Sequence, residues 1–328
     1  MELKFNTSSN PTTMYINSIG SYTPPNIVTN EHFLAVNGLT SEWIEQRTGI
    51  ETRHVAGKTD DQHTMGIHAI DDAIKHLKTY DVKDVGIIVA ASYTPIDTVG
   101  TMAHVAQQKY GIEGAKALQV TTACTSFITG MEVIEGYFAL GKATKALLVC
   151  SEHNTYYGNE SDPETGHLWG DAAVAYFISK DRLSESDMEI KSIYTCGLAT
   201  LGCGPQGVML RPRGGGIMMP HGRDVFVYAC KYSLKALSEA ATEAEMSLED
   251  IDYIICHQGN KRIIMHVAKQ LKINMDKFLT NIEHYGNTGA ASAPLVLAQN
   301  IDKYPKGTRF GVTTFGGGYS CGAFIVVK

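Results

Sequence analysis

The chain has 328 residues, 44% hydrophobic and 19% charged, which suits a globular protein with one large core or two joined halves and excludes disordered and fibrous classes. A formal net charge of -6 offers no global attraction to a phosphate backbone, so no nucleic-acid partner is expected. Seven cysteines without paired or CxxC spacing point to a reducing cytoplasm, with neither a disulfide framework nor a zinc or other metal site. The opening MELKFNTSSNPTTM lacks a basic region ahead of an apolar run, and no stretch of 18 apolar residues occurs, so neither secretion nor a membrane span is expected.

In chain order, β-branched runs alternate with helical patterns: TMYINSIG as a strand, DQHTMGIHAIDDAIKHLKTY as a helix, VGIIVAAS as a strand, MAHVAQQKYG as a helix and AKALQVTTA as a strand. Such alternation predicts βα units feeding a buried, mostly parallel sheet, hence an α/β fold. SFITGMEVIEGYFALG then reads as an apolar helix, and KALLVCSE and AAVAYFIS as strands. The charged stretch SKDRLSESDMEIKS shows no apolar periodicity and predicts a boundary, giving halves of residues 1–182 and 183–328. The second half repeats the style in VFVYACKYSLKALSEAATEA, DYIIC, KRIIMHVAKQL, SAPLVLAQNIDKY, TRFGVTTF and GAFIVVK. Its glycine-rich pieces fit neither a phosphate loop ending in GK[ST] nor GxGxxG after a strand, which argues against a nucleotide site.

Three residues have the chemistry for a site. Cys124 falls where a strand ends and an apolar helix begins, a place where helix-start N–H groups favour thiolate over thiol. A thiolate is a good acyl acceptor from thioesters; a buried, inert core cysteine is the plainer alternative. His257 closes the strand IDYIIC and should emerge at the sheet's carboxyl end, where open α/β sheets place ligands, although a structural histidine fits equally. Asn287, in the turn GNTGAAS, is either a partner of that histidine or a helix cap.

The ordered set SYTPPNIVTNEHF, SEWIEQRTGIETRHVAG, TTACTSF, WGDAAVA, HQGNKRII, GNTGAAS and FGGGYSCGAF resembles the β-ketoacyl-acyl carrier protein synthase III family of condensing enzymes, in one register from Met14 to Lys328. The resemblance implies the thiolase fold, two βαβαβ halves in a five-layered αβαβα arrangement, working as a homodimer. It implies an acyl group carried on Cys124, with His257 and Asn287 holding the malonyl thioester oxygen as carbon dioxide leaves. The backbone N–H groups of Cys124 and Gly317 would form an oxyanion hole, and Phe315 an apolar wall beside the nucleophile.

By the same resemblance, Trp43, Arg47 and Asn260 match positions that grip coenzyme A or pantetheine, and Lys261 and Arg262 match the surface that meets acyl carrier protein. An ordinary packing pair and a solvated helix face are the alternatives. No cofactor is implied beyond the coenzyme A or phosphopantetheine arm of the substrates. Three departures stand out: SDPETGHLWGD is short and lacks the arginine that would sandwich adenine with Trp43, Val227 stands where a lysine is usual, and Val99 stands where a phenylalanine usually enters the acyl pocket from the neighbouring subunit. The smaller Val99 predicts a donor bulkier than acetyl, or one delivered by a carrier protein. Alternatives to condensation are an acyl transfer to oxygen or nitrogen without decarboxylation, and a non-catalytic partner subunit.

Overall fold

A computed structural model describes residues 13–328; residues 1–12, most of the opening read above for a leader pattern, lie outside the described residues. The first half runs β1 (Met14–Tyr22), β2 (Asn26–Thr29), α1 (Glu31–Asn37), α2 (Ser41–Thr48), β3 (Thr52–Val55), α3 (Gln62–His76), β4 (Ile87–Ala91), α4 (Met102–Tyr110), β5 (Lys116–Val120), α5 (Ser126–Ala139), β6 (Lys145–Glu152), α6 (Asn154–Tyr157) and β7 (Ala172–Ser179). The second runs β8 (Met188–Gly197), β9 (Met209–Arg211), β10 (Gly216–Met218), α7 (Gly222–Glu243), β11 (Tyr253–Cys256), α8 (Lys261–Leu271), α9 (Ile282–Tyr285), α10 (Ser292–Asn300), β12 (Arg309–Gly316) and β13 (Ser320–Val327).

Nine strands are linked in the order β11-β12-β13-β8-β1-β7-β6-β4-β5. β4 lies parallel to β5 and β6, and β11 parallel to β12. β1 pairs with β7 along Tyr15–Tyr22 but with β8 only over Met14–Ile16, so the strands divide into two sheets joined at one corner. Between them lie α5 and α10, whose Phe127, Met131, Leu295 and Val296 share one core with Val89 and Val174 of the first sheet and with Val312 and Phe324 of the second. α3 and α4 cover the outer face of one sheet, and α7 and α8 that of the other. The result is the expected α/β arrangement in five layers, αβαβα.

The strands buried on both faces, such as β6 and β7, are the near-continuous apolar runs the sequence displays. β8 is a departure. The polar stretch read as a boundary continues into this strand, because Met188, Ile190 and Ser192 alternate inward against Glu189 and Lys191. β4, β5, β6, β11 and β12 all point their carboxyl ends toward one region, and the loops that follow them build the site.

Candidate active site

Cys124 sits on a sharp elbow. β5 stops at Val120 and α5 starts at Ser126, and the turn is held by Ser126, whose Oγ accepts the Thr122 N–H at 2.9 Å and donates to the Ala123 carbonyl at 2.6 Å. Ala123 takes a left-handed φ of 51°, a conformation a non-glycine residue rarely adopts unless its surroundings impose it. Gly316 packs across the elbow so closely that a Cβ there would lie 2.8 Å from the Cys124 nitrogen. The glycine of FGGG beside the nucleophile is therefore a requirement of close approach.

The thiolate expectation fails for the ligand-free chain. Burial pushes the Cys124 thiol up to about 12, and the buried Glu152 carboxyl adds to that, against the smaller lowering effects of the Tyr93 hydroxyl and the Cys124 N–H. Desolvation outweighs the one local backbone N–H that favours the thiolate.

His257 follows β11, its N–H donating to the Thr313 carbonyl of β12 at 2.8 Å. Ser292 Oγ, at the start of α10, accepts the Gln258 N–H at 3.2 Å and lies 2.7 Å from His257 Nδ1. A serine hydroxyl that donates to Nδ1 keeps the ring proton on Nε2, facing the cavity. Burial pulls the His257 pKa down to about 4, so the imidazole is neutral at physiological pH. Asn287 is fixed by pairing with the loop after residue 167: its N–H donates to the Leu168 carbonyl at 2.8 Å, and its carbonyl accepts the Gly170 N–H at 3.0 Å. Its Oδ1 accepts the Gly289 N–H at 3.0 Å, which turns Nδ2 outward as a donor. A point one Cβ out from Gly259 lies 2.8 Å from His257 Nε2 and 3.6 Å from Asn287 Nδ2. Two N–H donors from loops far apart in sequence thus converge.

Cys124, His257, Asn287, Phe315 and Gly317 line one cavity of about 120 Å³. A second, of about 460 Å³, opens on the other side of Cys124, lined by Tyr93, Thr98, Val208, Leu210 and Ile217. Phe315 borders the first cavity, the one with Cys124, His257 and Asn287, and not the second; it ends β12 and packs toward the α7 side. Val99, 83% exposed, lines neither cavity of its own chain.

The rim residues are engaged with one another. Arg47 lies 4.9 Å over the Trp43 ring, and His167, from the short segment lacking an arginine, meets that ring edge-on at 5.5 Å. Asn260 caps α8 by accepting the Arg262 N–H at 2.9 Å and donates to the Arg47 carbonyl at 3.1 Å. Lys261 pairs with Glu283 at 2.7 Å, and the Arg262 guanidinium lies 5.9 Å from the Phe226 ring centre. Val227 is exposed on α7.

Sequence reasoning missed Tyr93, Glu152 and Asn154 and gave Ser292 no role. Glu152, at the end of β6, accepts from Ser92 and Thr94 hydroxyls and from two backbone N–H groups. Burial nevertheless raises it to about 7. Asn154 donates to the Gly170 carbonyl at 2.8 Å and the Asn287 carbonyl at 3.3 Å. The one signal for these was their position, polar residues at or within two residues of the ends of apolar strands. Among the described residues, no group of His, Cys, Asp or Glu is arranged to hold a metal ion, and no helix is long and apolar enough to cross a membrane.

Comparison with known proteins agrees with this architecture. The sequence profile of 3-oxoacyl-[acyl-carrier-protein] synthase III matches residues 118–195, and the profile of that enzyme's C-terminal part matches residues 241–328. The β-ketoacyl-[acyl-carrier-protein] synthase III of Acholeplasma laidlawii is 33% identical over 314 residues, 94% of this chain and 96% of that protein. The enzyme of the same name from a Clostridium perfringens strain is 32% identical over 320 residues, 94% and 97% of the two chains. The crystal structure of 3-oxoacyl-[acyl-carrier-protein] synthase III from Aquifex aeolicus superimposes with a TM-score of 0.88 at 28% identity, covering 96% of this chain and 100% of that one. With that extent of likeness in sequence and fold, the chain belongs to the β-ketoacyl-acyl carrier protein synthase III family.

Proposed function

We propose that the chain catalyses a decarboxylative Claisen condensation, joining an acyl thioester primer to malonyl carried on acyl carrier protein through an acyl-Cys124 intermediate, in fatty acid or polyketide-type biosynthesis. The observation that carries this reading is that His257 Nε2 and Asn287 Nδ2 approach one point beside Gly259, and that these residues line the cavity that also holds Cys124. Acylation needs a nucleophile and an oxyanion site; it does not need two further neutral donors. Two donors aimed at one oxygen suit the enolate left as the malonyl carboxylate departs, and a neutral imidazole donates without holding that carboxylate as an ion pair.

The larger cavity supports a donor longer or wider than acetyl, since about 460 Å³ lies beside Cys124. As a homodimer, each chain would present the exposed Val99 to its partner's cavity. Trp43, Arg47 and Asn260 would receive the pantetheine arm at the rim, Lys261 and Arg262 would face the acidic carrier, and no cofactor takes part beyond the substrate's own thioester arm. Intact-protein mass spectrometry after incubation with acetyl, C6 to C10 and branched donors tests the reading. We expect acyl adducts on Cys124 with the larger donors preferred; equal or better loading of acetyl would count against the donor assignment. Loss of the adduct to an oxygen or nitrogen acceptor without carbon dioxide release would favour simple acyl transfer.

A further inference from the structure

A thin partition separates the larger cavity beside Cys124 from an open groove on the surface. The cavity of about 460 Å³ and the groove of about 520 Å³ share two lining residues, Tyr157 and Pro212. Pro95 lines the cavity, and its neighbour Ile96 lines the groove. Cys124 lines the cavity and not the groove, so the partition lies between the sulfur and the groove.

One hydrogen bond crosses the partition. Tyr157 Oη donates to the Pro95 carbonyl, which ties α6 to the loop after β4. Both sides of this tie are held from behind. The Ile96 N–H donates to Gln62 Oε1 at 3.2 Å, and the fully buried Gln62 donates in turn to Ser92 Oγ at 2.8 Å. On the other side, Gly216 of β10 takes a left-handed φ of 70° and lies so near the Tyr157 carbonyl oxygen that a Cβ would come within 2.0 Å of it. The Tyr157 ring packs on the cluster that contains Trp169 and Ile217, which themselves line the cavity. A tyrosine suits this place, because its ring offers apolar bulk to the cavity while its hydroxyl is satisfied by the loop.

We propose that Tyr157, held to Pro95, is a specificity-determining residue that sets the longest acyl chain the cavity accepts, and that the groove behind it is the space a longer chain enters once the ring is removed. None of the described residues lining the cavity is Asp, Glu, Lys, Arg or His. The substrate class is therefore a hydrocarbon acyl group and not a carboxylated or charged one.

This inference rests on the larger cavity being the acyl site. Loading of Cys124 with acetyl, octanoyl and hexadecanoyl thioesters, followed by intact mass, tests it. Tyr157→Ala and the gentler Tyr157→Leu should raise the hexadecanoyl-to-octanoyl rate ratio at least about tenfold, with acetyl loading within about twofold of the parent. Tyr157→Phe keeps the ring and loses only the tie to Pro95, so it should move the ratio less, by about two- to fivefold. Alkyl methanethiosulfonates of the same chain lengths, which form a disulfide with the thiol and release a sulfinate, read the space beside the sulfur without any acyl transfer; peptide mapping assigns the label to Cys124. A length ratio that moves with these reagents while no thioester loads any variant would uphold the wall and overturn the acyl-carrying role of Cys124 instead. Length ratios unmoved with both reagents in Tyr157→Leu, or rates lowered alike at every length, would overturn the proposal.

Discussion

The inner cavity and its rim both carry polar groups but use them differently. At the floor, partners fix each functional atom from behind and leave one donor facing in: Ser292 behind His257 Nδ1, and Gly289 N–H behind Asn287 Oδ1. At the rim, Arg47 lies on Trp43, Lys261 on Glu283 and Asn260 on its own helix start. A preorganised floor declares a reaction, because its donors point at charge that exists only during chemistry. A self-satisfied rim declares little, because exposed pairs contribute little and give way readily to a substrate.

Mutations that separate the two should differ by orders of magnitude. Cys124→Ala should abolish the acyl adduct in intact mass spectra and cut condensation by at least about 10³-fold; a retained adduct would place the acyl group elsewhere. His257→Ala and Asn287→Ala should each lower carbon dioxide release by about 10²- to 10³-fold while leaving acyl-Cys124 formation largely intact. Loss of both half-reactions together would mean that the two side chains serve the fold instead. Ser292→Ala, which frees the imidazole to take the other tautomer, should cost about five- to tenfold in decarboxylation. Trp43→Ala and Arg262→Ala should raise KM for the donor or the carrier about two- to fivefold with kcat little changed.

Floor burial also predicts how stability follows pH. His257, held near 4 against an ordinary 6.5, binds its proton less well folded than unfolded, so its contribution is lost as pH falls below about 6.5. Glu152, held near 7 against 4.5, does the opposite: the folded state keeps the proton longer, and stability is lost as pH rises through that window. Glu152→Gln removes the second effect, so Tm should climb more steeply between about pH 5 and 7 than in the parent. An unchanged slope would show that Glu152 does not titrate there.

The fold was legible wherever burial is two-sided. The apolar runs of β4, β6, β7 and β12 declare themselves, as do the helices that face a core along most of their length. α2, with Ile44 as its one buried aliphatic, and β8, whose inward positions include Ser192, carry too little apolar signal. In the site, Cys124 and His257 stood out because each is a reactive type where a strand gives way to a helix, and Asn287 because it lies in a turn just before a helix. Tyr93 and Glu152 did not, since their place near the nucleophile follows from the order β6-β4-β5 in the sheet, which linear spacing does not encode. The protonated state of Cys124 was misjudged for a related reason: the helix start is a local feature, whereas desolvation depends on everything packed around it.

The most direct test is the stoichiometry of a single turnover. Enzyme loaded with one acyl group on Cys124 and mixed with carboxyl-labelled malonyl carrier protein should release one carbon dioxide for each acyl group that leaves the cysteine, with a β-ketoacyl product on the carrier. Departure of the acyl group without carbon dioxide would contradict the account.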